Sequence, residues 1–199
     1  MSALFSSPAQ AAFLDIGSQV DTYTGESRGY FFTAPTDFVI TGLRVPTDAS
    51  TDTQYIQAVK FNSGVPPEYP DDTTNFTTLG TWTGLGTNFF DTNIPVSSGD
   101  VIGILGVRGQ TNSYGSVAFG SSILGEPVTL YRLVYQDALS NGPAGPVSAE
   151  DWLFGRVEMR YEPVPGPLPV LGTLAAFGYS RKLRKRIGLA SKPGVSPFR

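Results

Sequence analysis

The stretch Val128-Thr129-Leu130-Tyr131-Arg132-Leu133-Val134-Tyr135 carries the clearest strand signal in the chain. Val128, Leu130, Arg132 and Val134 alternate with Thr129, Tyr131, Leu133 and Tyr135, so period two sets the two groups on opposite faces of a strand. Both faces carry apolar bulk, which suits a strand at least half buried on each side, in the centre of a sandwich. The same texture recurs outward in both directions. Strands are predicted over residues 29–33, 37–45, 55–62, 76–83, 89–96, 100–107, 113–119, 128–135 and 153–161. Within 37–45, Phe38, Ile40 and Gly42 oppose Val39, Thr41 and Leu43. Breaks fall at Thr33-Ala34-Pro35-Thr36-Asp37, Asn62-Ser63-Gly64 and Ser97-Ser98-Gly99-Asp100, where proline presets φ and aspartate bonds its own backbone. Helical periodicity is essentially missing before residue 165. Many short strands with such breaks predict an all-β fold, an antiparallel β-sandwich of jelly-roll-like type.

Composition agrees that the chain folds. Its 199 residues hold 12% aromatics, and glycine and proline stay below the level of low-complexity disorder. Neither cysteine nor histidine occurs. That removes disulfides and thiolate chemistry, and with them His-based triads and His-containing zinc sites. Charge is strongly asymmetric: residues 1–162 hold all 17 acids and seven bases, a net of −10, whereas the other seven bases lie between Arg181 and Arg199. The acidic body repels nucleic acid, which is not an expected partner, while the basic tail is drawn to anionic surfaces.

The two ends carry address signals. Ala9-Gln10-Ala11 has the small-x-small pattern of a signal-peptidase site, but Met1 to Phe5 is too short for an apolar h-region. The expectation is a signal-peptide remnant over residues 1–11, with the true start upstream. At the other end, Val164-Pro165-Gly166-Pro167 precedes an apolar run from Leu168 to Tyr179 and the basic cluster Arg181, Lys182, Arg184, Lys185 and Arg186. As a helix the apolar run measures ~18 Å, short of the ~30 Å hydrocarbon layer. Reaching Leu183 and Ile187, with snorkelling bases, brings it to about the membrane thickness. Bases beside an apolar helix place the C-terminus in the cytoplasm and the body outside. Residues 163–187 therefore read as a sorting and membrane-retention segment, 188–199 as a flexible tail and 12–162 as the ectodomain.

This order of motif, apolar helix and basic end resembles the PEP-CTERM sorting domain, in a Val-Pro-Gly-Pro variant. Gly166 stands where that family usually has Glu, and 188–199 runs past its usual end. The resemblance implies export to the bacterial cell envelope or extracellular space, transient membrane anchoring, and recognition by an exosortase-type processing enzyme. Tyr30 to Phe38 and Ser98 to Gly106 are similar to segments of PEP-CTERM ectodomains of uncharacterised function.

Chemistry in the body is sparse. Asp48, Asp52, Asp71 and Asp72 are oxygen donors of the kind Ca²⁺ takes, but their spacing matches no calcium loop and they read as solvated turn acids; no cofactor is expected. Gly84-Leu85-Gly86 lacks the third glycine and the following helix of a dinucleotide site. Tyr30-Phe31-Phe32 turns one face outward unless both sides are covered. Tyr55, Tyr69, Trp82 and Tyr114 are candidate glycan contacts if exposed, and core residues otherwise. Glu150-Asp151 and Glu158 are the visible acids for glycosidase chemistry, and nothing in the sequence brings two together. The preferred function is a non-enzymatic exported envelope or matrix protein, structural or adhesive. A carbohydrate module binding exopolysaccharide and a glycan-acting hydrolase are the alternatives.

Overall fold

The alternating stretch lies inside the longest strand among the described residues. The structure is a computed structural model that describes residues 11–165. Its strands are β1 (Ala12–Phe13), β2 (Asp21–Thr24), β3 (Arg28–Thr33), β4 (Phe38–Arg44), β5 (Gln54–Phe61), β6 (Phe76–Gly84), β7 (Phe90–Val96), β8 (Val101–Arg108), β9 (Thr111–Val117), β10 (Phe119–Ile123), β11 (Glu126–Tyr135), β12 (Val147–Ala149), β13 (Leu153–Gly155) and β14 (Glu158–Pro163). All pair antiparallel. The smaller sheet has the order β1-β14-β4-β7, and the larger runs β10-β11-β3-β8-β5-β6, with β12 on β11 and with β9 joining β8, β2 and β13. Among the described residues no helix is long and apolar enough to cross a membrane. The expected signal-peptide remnant, apart from Ala11, and Gly166, Pro167, the apolar run, the basic cluster and residues 188–199 of the expected C-terminal segments fall outside the described residues.

One core lies between the sheets. Tyr30 and Phe32 of β3, Ile104 of β8 and Ile56 of β5 meet Phe38 and Ile40 of β4 and Met159 of β14 there. A second core covers the other face of the larger sheet, where Leu139, Val147 and Ala149 pack on Phe31, Val59, Phe61, Leu105 and Leu133. This second layer explains the Tyr30-Phe31-Phe32 run: all three are at most 6% exposed, because their alternating side chains enter different cores. The Tyr30 hydroxyl, 3.0 Å from the Val157 carbonyl, donates to it, so its burial leaves no unpaired donor.

Two sequence readings are corrected by irregularities that periodicity cannot show. Phe38, Ile40 and Gly42 do not share a face throughout. Against β14 the register shifts between Arg160 and Tyr161, which makes Thr41 an extra residue on β4 and turns Leu43 inward. Gly42 then faces outward beneath Arg160, whose guanidinium lies 2.9 Å from where a Cβ would stand. The predicted strand over 153–161 is two strands. Leu153–Gly155 pairs with β9 in the larger sheet and Glu158–Pro163 with β4 in the smaller, the chain crossing over at Arg156-Val157.

Ionic contacts use up most bases of the described residues. Arg28 pairs with Glu26, Arg44 with Glu158, Lys60 with Asp100, Arg132 with Glu150, Arg156 with Asp48 and Arg160 with Asp91. Arg108, 1% exposed, donates only to carbonyls. Burial alone would raise the pKa of Asp100, but the Lys60 ammonium and the Ser97 N–H outweigh it and hold the carboxyl below its usual value. Asp48 is likewise lowered, the Arg156 and Ser113 hydrogen bonds overcoming burial. A carboxyl with a depressed folded-state pKa adds stability that is present above the unfolded value and lost as pH falls through the folded one. The urea midpoint is therefore expected to hold from pH 7 to 5 and to fall below about pH 4. Asp100→Asn is expected to reduce that fall, and an unchanged acid slope in this variant would remove Asp100 as a contributor.

Candidate functional site

A cleft opens on the larger sheet where β11 changes partners. The β10 ladder ends with Phe119 opposite Leu130, and the β12 ladder begins with Ala149 opposite Leu133. Tyr131 and Arg132 thus face a gap along that edge. The chain leaves β9 for β10 through Ala118, which holds a left-handed φ of 42°. On the far side Glu150-Asp151-Trp152 loops out before Leu153 rejoins the sheet opposite Val117. Glu68 arrives from the β5–β6 connection, because the Ala149 N–H donates to the Pro67 carbonyl at 2.7 Å and the Tyr69 N–H to the Ala149 carbonyl at 2.9 Å. Five separate segments therefore build one depression of about 280 Å³, lined by Phe31, Tyr131, Arg132, Glu68, Asp151 and Trp152 together with Val117, Ala118, Ala149 and Glu150.

Its chemistry is aromatic and acidic. Trp152 is 60% exposed and Tyr131 48%, and the Tyr131 ring stacks on Phe31 at 5.5 Å, which fixes its plane. Arg132 is buried and shared among three neighbours. Its Nη1 donates to the Leu153 carbonyl, its guanidinium lies 5.2 Å from the centre of the Tyr114 ring, and the Glu150 carboxylate sits 2.7 Å from Nε. That last contact lies off the N–H axis and is an ion pair rather than a hydrogen bond. Arg132 thereby tethers the loop that carries Trp152. Rigid rings at the rim of a polar depression are the arrangement that stacks on flat, partly apolar faces such as those of sugars.

The four aromatic candidates from the sequence are not brought together. Tyr55 packs beside the outer core, and Trp82, opposite Ile56 across β5 and β6, packs against the inner one, so the sheet separates them. Tyr114 is 5% exposed, its ring stacked at 6.0 Å on Tyr23. Tyr69 is exposed but lines a different cleft, of about 320 Å³, with Asp72, Tyr135, Asp137 and Ser148. There the Ala138 N–H and the Asn141 amide hold Asp137 below its usual carboxylate range. The residues that do converge, Trp152 and Tyr131, lie outside the candidate set. A partial signal for Trp152 is legible: the indole directly follows the charged pair Glu150-Asp151, at the edge of the apolar run that begins with Leu153-Phe154.

The acids separate similarly. Glu150 and Asp151 line the cleft, whereas Glu158 pairs with Arg44 on the smaller sheet. Asp48 is engaged by Arg156 and Asp52 by the Ser50 hydroxyl, and no group of three or more His, Cys, Asp or Glu side chains among the described residues is placed to hold a metal ion. Gly86, of the glycine pair read against a dinucleotide site, turns the β6–β7 connection with a φ of 93° and gives its carbonyl to Arg108. Val164, 48% exposed, and Pro165, the first two residues of the expected sorting motif, end the described chain. No family model, curated protein or solved structure matches the chain.

Proposed function

We propose that this is an exported, non-enzymatic glycan-binding protein of the bacterial envelope or matrix, whose jelly-roll-like ectodomain holds polysaccharide in the Trp152 cleft. The observation that carries the reading is the pairing of two largely exposed rings, Trp152 and Tyr131, over one cleft fixed by sheet and ion-pair contacts. An exposed indole in a stable fold is otherwise uncompensated apolar surface, and a sugar face is a partner that covers it. Of the acids singled out for hydrolysis, Glu150 is taken up by Arg132 and Glu158 lies elsewhere, on Arg44; Asp151 and Glu68 do line the cleft, and the exposed rings beside them favour holding a sugar there. The jelly-roll reading is supported by β14 returning beside β1 while β3-β8-β5-β6 fill the facing sheet, the long return of Greek-key winding.

Export, membrane retention through residues 163–187 and exosortase-type processing rest on the sequence signals at the two ends. They put the glycan-binding body outside the cell, where exopolysaccharide is the abundant ligand. In affinity electrophoresis against a panel of neutral, cationic and anionic polysaccharides, the protein is expected to be retarded by at least one, and Trp152→Ala to weaken that retardation about tenfold or more. Equal retardation of wild type and Trp152→Ala by every polysaccharide, or retardation by none, would sink the proposal.

A further inference from the structure

We infer that the Trp152 cleft selects a cationic glycan, one bearing free amino groups; this rests on the glycan reading above and names the ligand class for it. Six of the seven bases in the described residues are bound by acids, and the seventh, Arg108, is buried on backbone carbonyls. Each base takes one acid, so eleven of the 17 acids have no ion-pair partner among the described residues. A polyanionic polysaccharide approaching this domain would find no uncommitted base and a field of its own sign.

Two of the uncommitted acids, Glu68 and Asp151, are in the cleft itself, beside the exposed Trp152 and Tyr131 rings. Aromatic faces attract an ammonium through their quadrupole, tryptophan most strongly, and carboxylates add charge-assisted hydrogen bonds. The single base at the site, Arg132, is neutralised by Glu150 and does not oppose such a ligand. Rings for the sugar face and carboxylates for the amine thus meet in one place. A neutral glycan would use the rings and offer the acids hydroxyl donors alone, without the opposite charge that an ammonium brings.

The test is calorimetric binding of the full chain at pH 6 to glucosamine oligomers and to their N-acetylated counterparts of equal length, with wild type, Trp152→Ala and the double variant Glu68→Gln/Asp151→Asn. All three positions are exposed, and thermal melts confirm that the variants stay folded. Glucosamine oligomers are expected to bind about tenfold or more tighter than the acetylated ones, with the preference lost in the double variant and both affinities falling in Trp152→Ala. Equal affinity for the two ligands, still sensitive to Trp152→Ala, would overturn the cationic assignment and leave the glycan reading standing. A preference for glucosamine that survives both variants would overturn the assignment to this cleft. Absence of binding by either ligand would remove the cationic inference, and the polysaccharide panel decides the broader reading separately.

Discussion

Arg108→Leu is expected to destabilise the β-sandwich by about 4 kcal/mol, seen in a thermal melt as a loss of roughly 8–16 °C. Arg108 ends β8 and points its guanidinium into the end of the larger sheet, where Nε and Nη2 donate to Val45, Nε also to Pro46, and Nη1 to Asp52 and Gly86, all at 2.8–3.0 Å. Those carbonyls belong to the β4–β5 and β6–β7 connections, so one side chain ties two loops to a strand. Burial, with the neighbouring Arg44 charge, pulls its pKa down from the ordinary arginine value, and the cation persists because the carbonyl dipoles converge on it. Leucine removes a charge that is costly to bury but leaves the buried Val45 and Pro46 carbonyls, and the partly buried Asp52 and Gly86 carbonyls, without their donor, and the second effect is the larger. Arg108→Lys should recover only part of the loss, since an ammonium cannot span the fork of acceptors. A drop below about 1 kcal/mol in the leucine variant would mean that water replaces the guanidinium without difficulty.

Gly29→Ala is the second large effect, about 3 kcal/mol. A Cβ at Gly29 would lie 1.9 Å from the Ile104 carbonyl oxygen and 2.7 Å from the Leu105 Cα, both backbone atoms of the neighbouring strand β8. Backbone cannot swing aside as a flexible side chain can, so β3 and β8 must separate in the middle of the larger sheet. Gly155 repeats the constraint from above: its Cβ would stand 2.5 Å from the Arg28 carbonyl carbon. Gly120 of β10 is the internal control, because a Cβ there would meet no atom within 4 Å. Gly120→Ala is accordingly expected to stay within about 0.5 kcal/mol of wild type. Equal stability of the Gly29 and Gly120 variants in urea titration would refute the packing argument.

Much of the strand pattern is readable because a strand's chemistry repeats every two residues. Residues 55–62, 76–83, 89–96 and 100–107 correspond to β5, β6, β7 and β8 within about a residue at each end. Short strands escape. Asp21–Thr24 is polar and mostly exposed, and exists because Asn112, Ser113 and Tyr114 of β9 offer it a ladder; Val147–Ala149 is too short to show a period. The split at Arg156-Val157 and the extra residue at Thr41 are invisible for another reason. Alternation records which side a residue faces, not which sheet it belongs to.

The cleft is less legible than the strands. It is assembled from residues 31, 68, 117–118, 131–132 and 149–152, and their proximity depends on where β10 stops and β12 starts along β11. Tyr114 and Tyr131 have the same composition-level claim to a glycan surface. One is stacked under Arg132 at 5% exposure and the other stands open at 48%.

Period, turn residues and charge are local or additive properties, so the antiparallel all-β class and the division into an acidic body and a basic tail follow from the order of residues without any knowledge of contacts. Which aromatics meet water, which acids remain uncommitted and where a ligand could sit are settled only by packing. Exposure and pairing belong to neighbours that are remote in sequence, and those neighbours exist only once the sheets have closed on their cores.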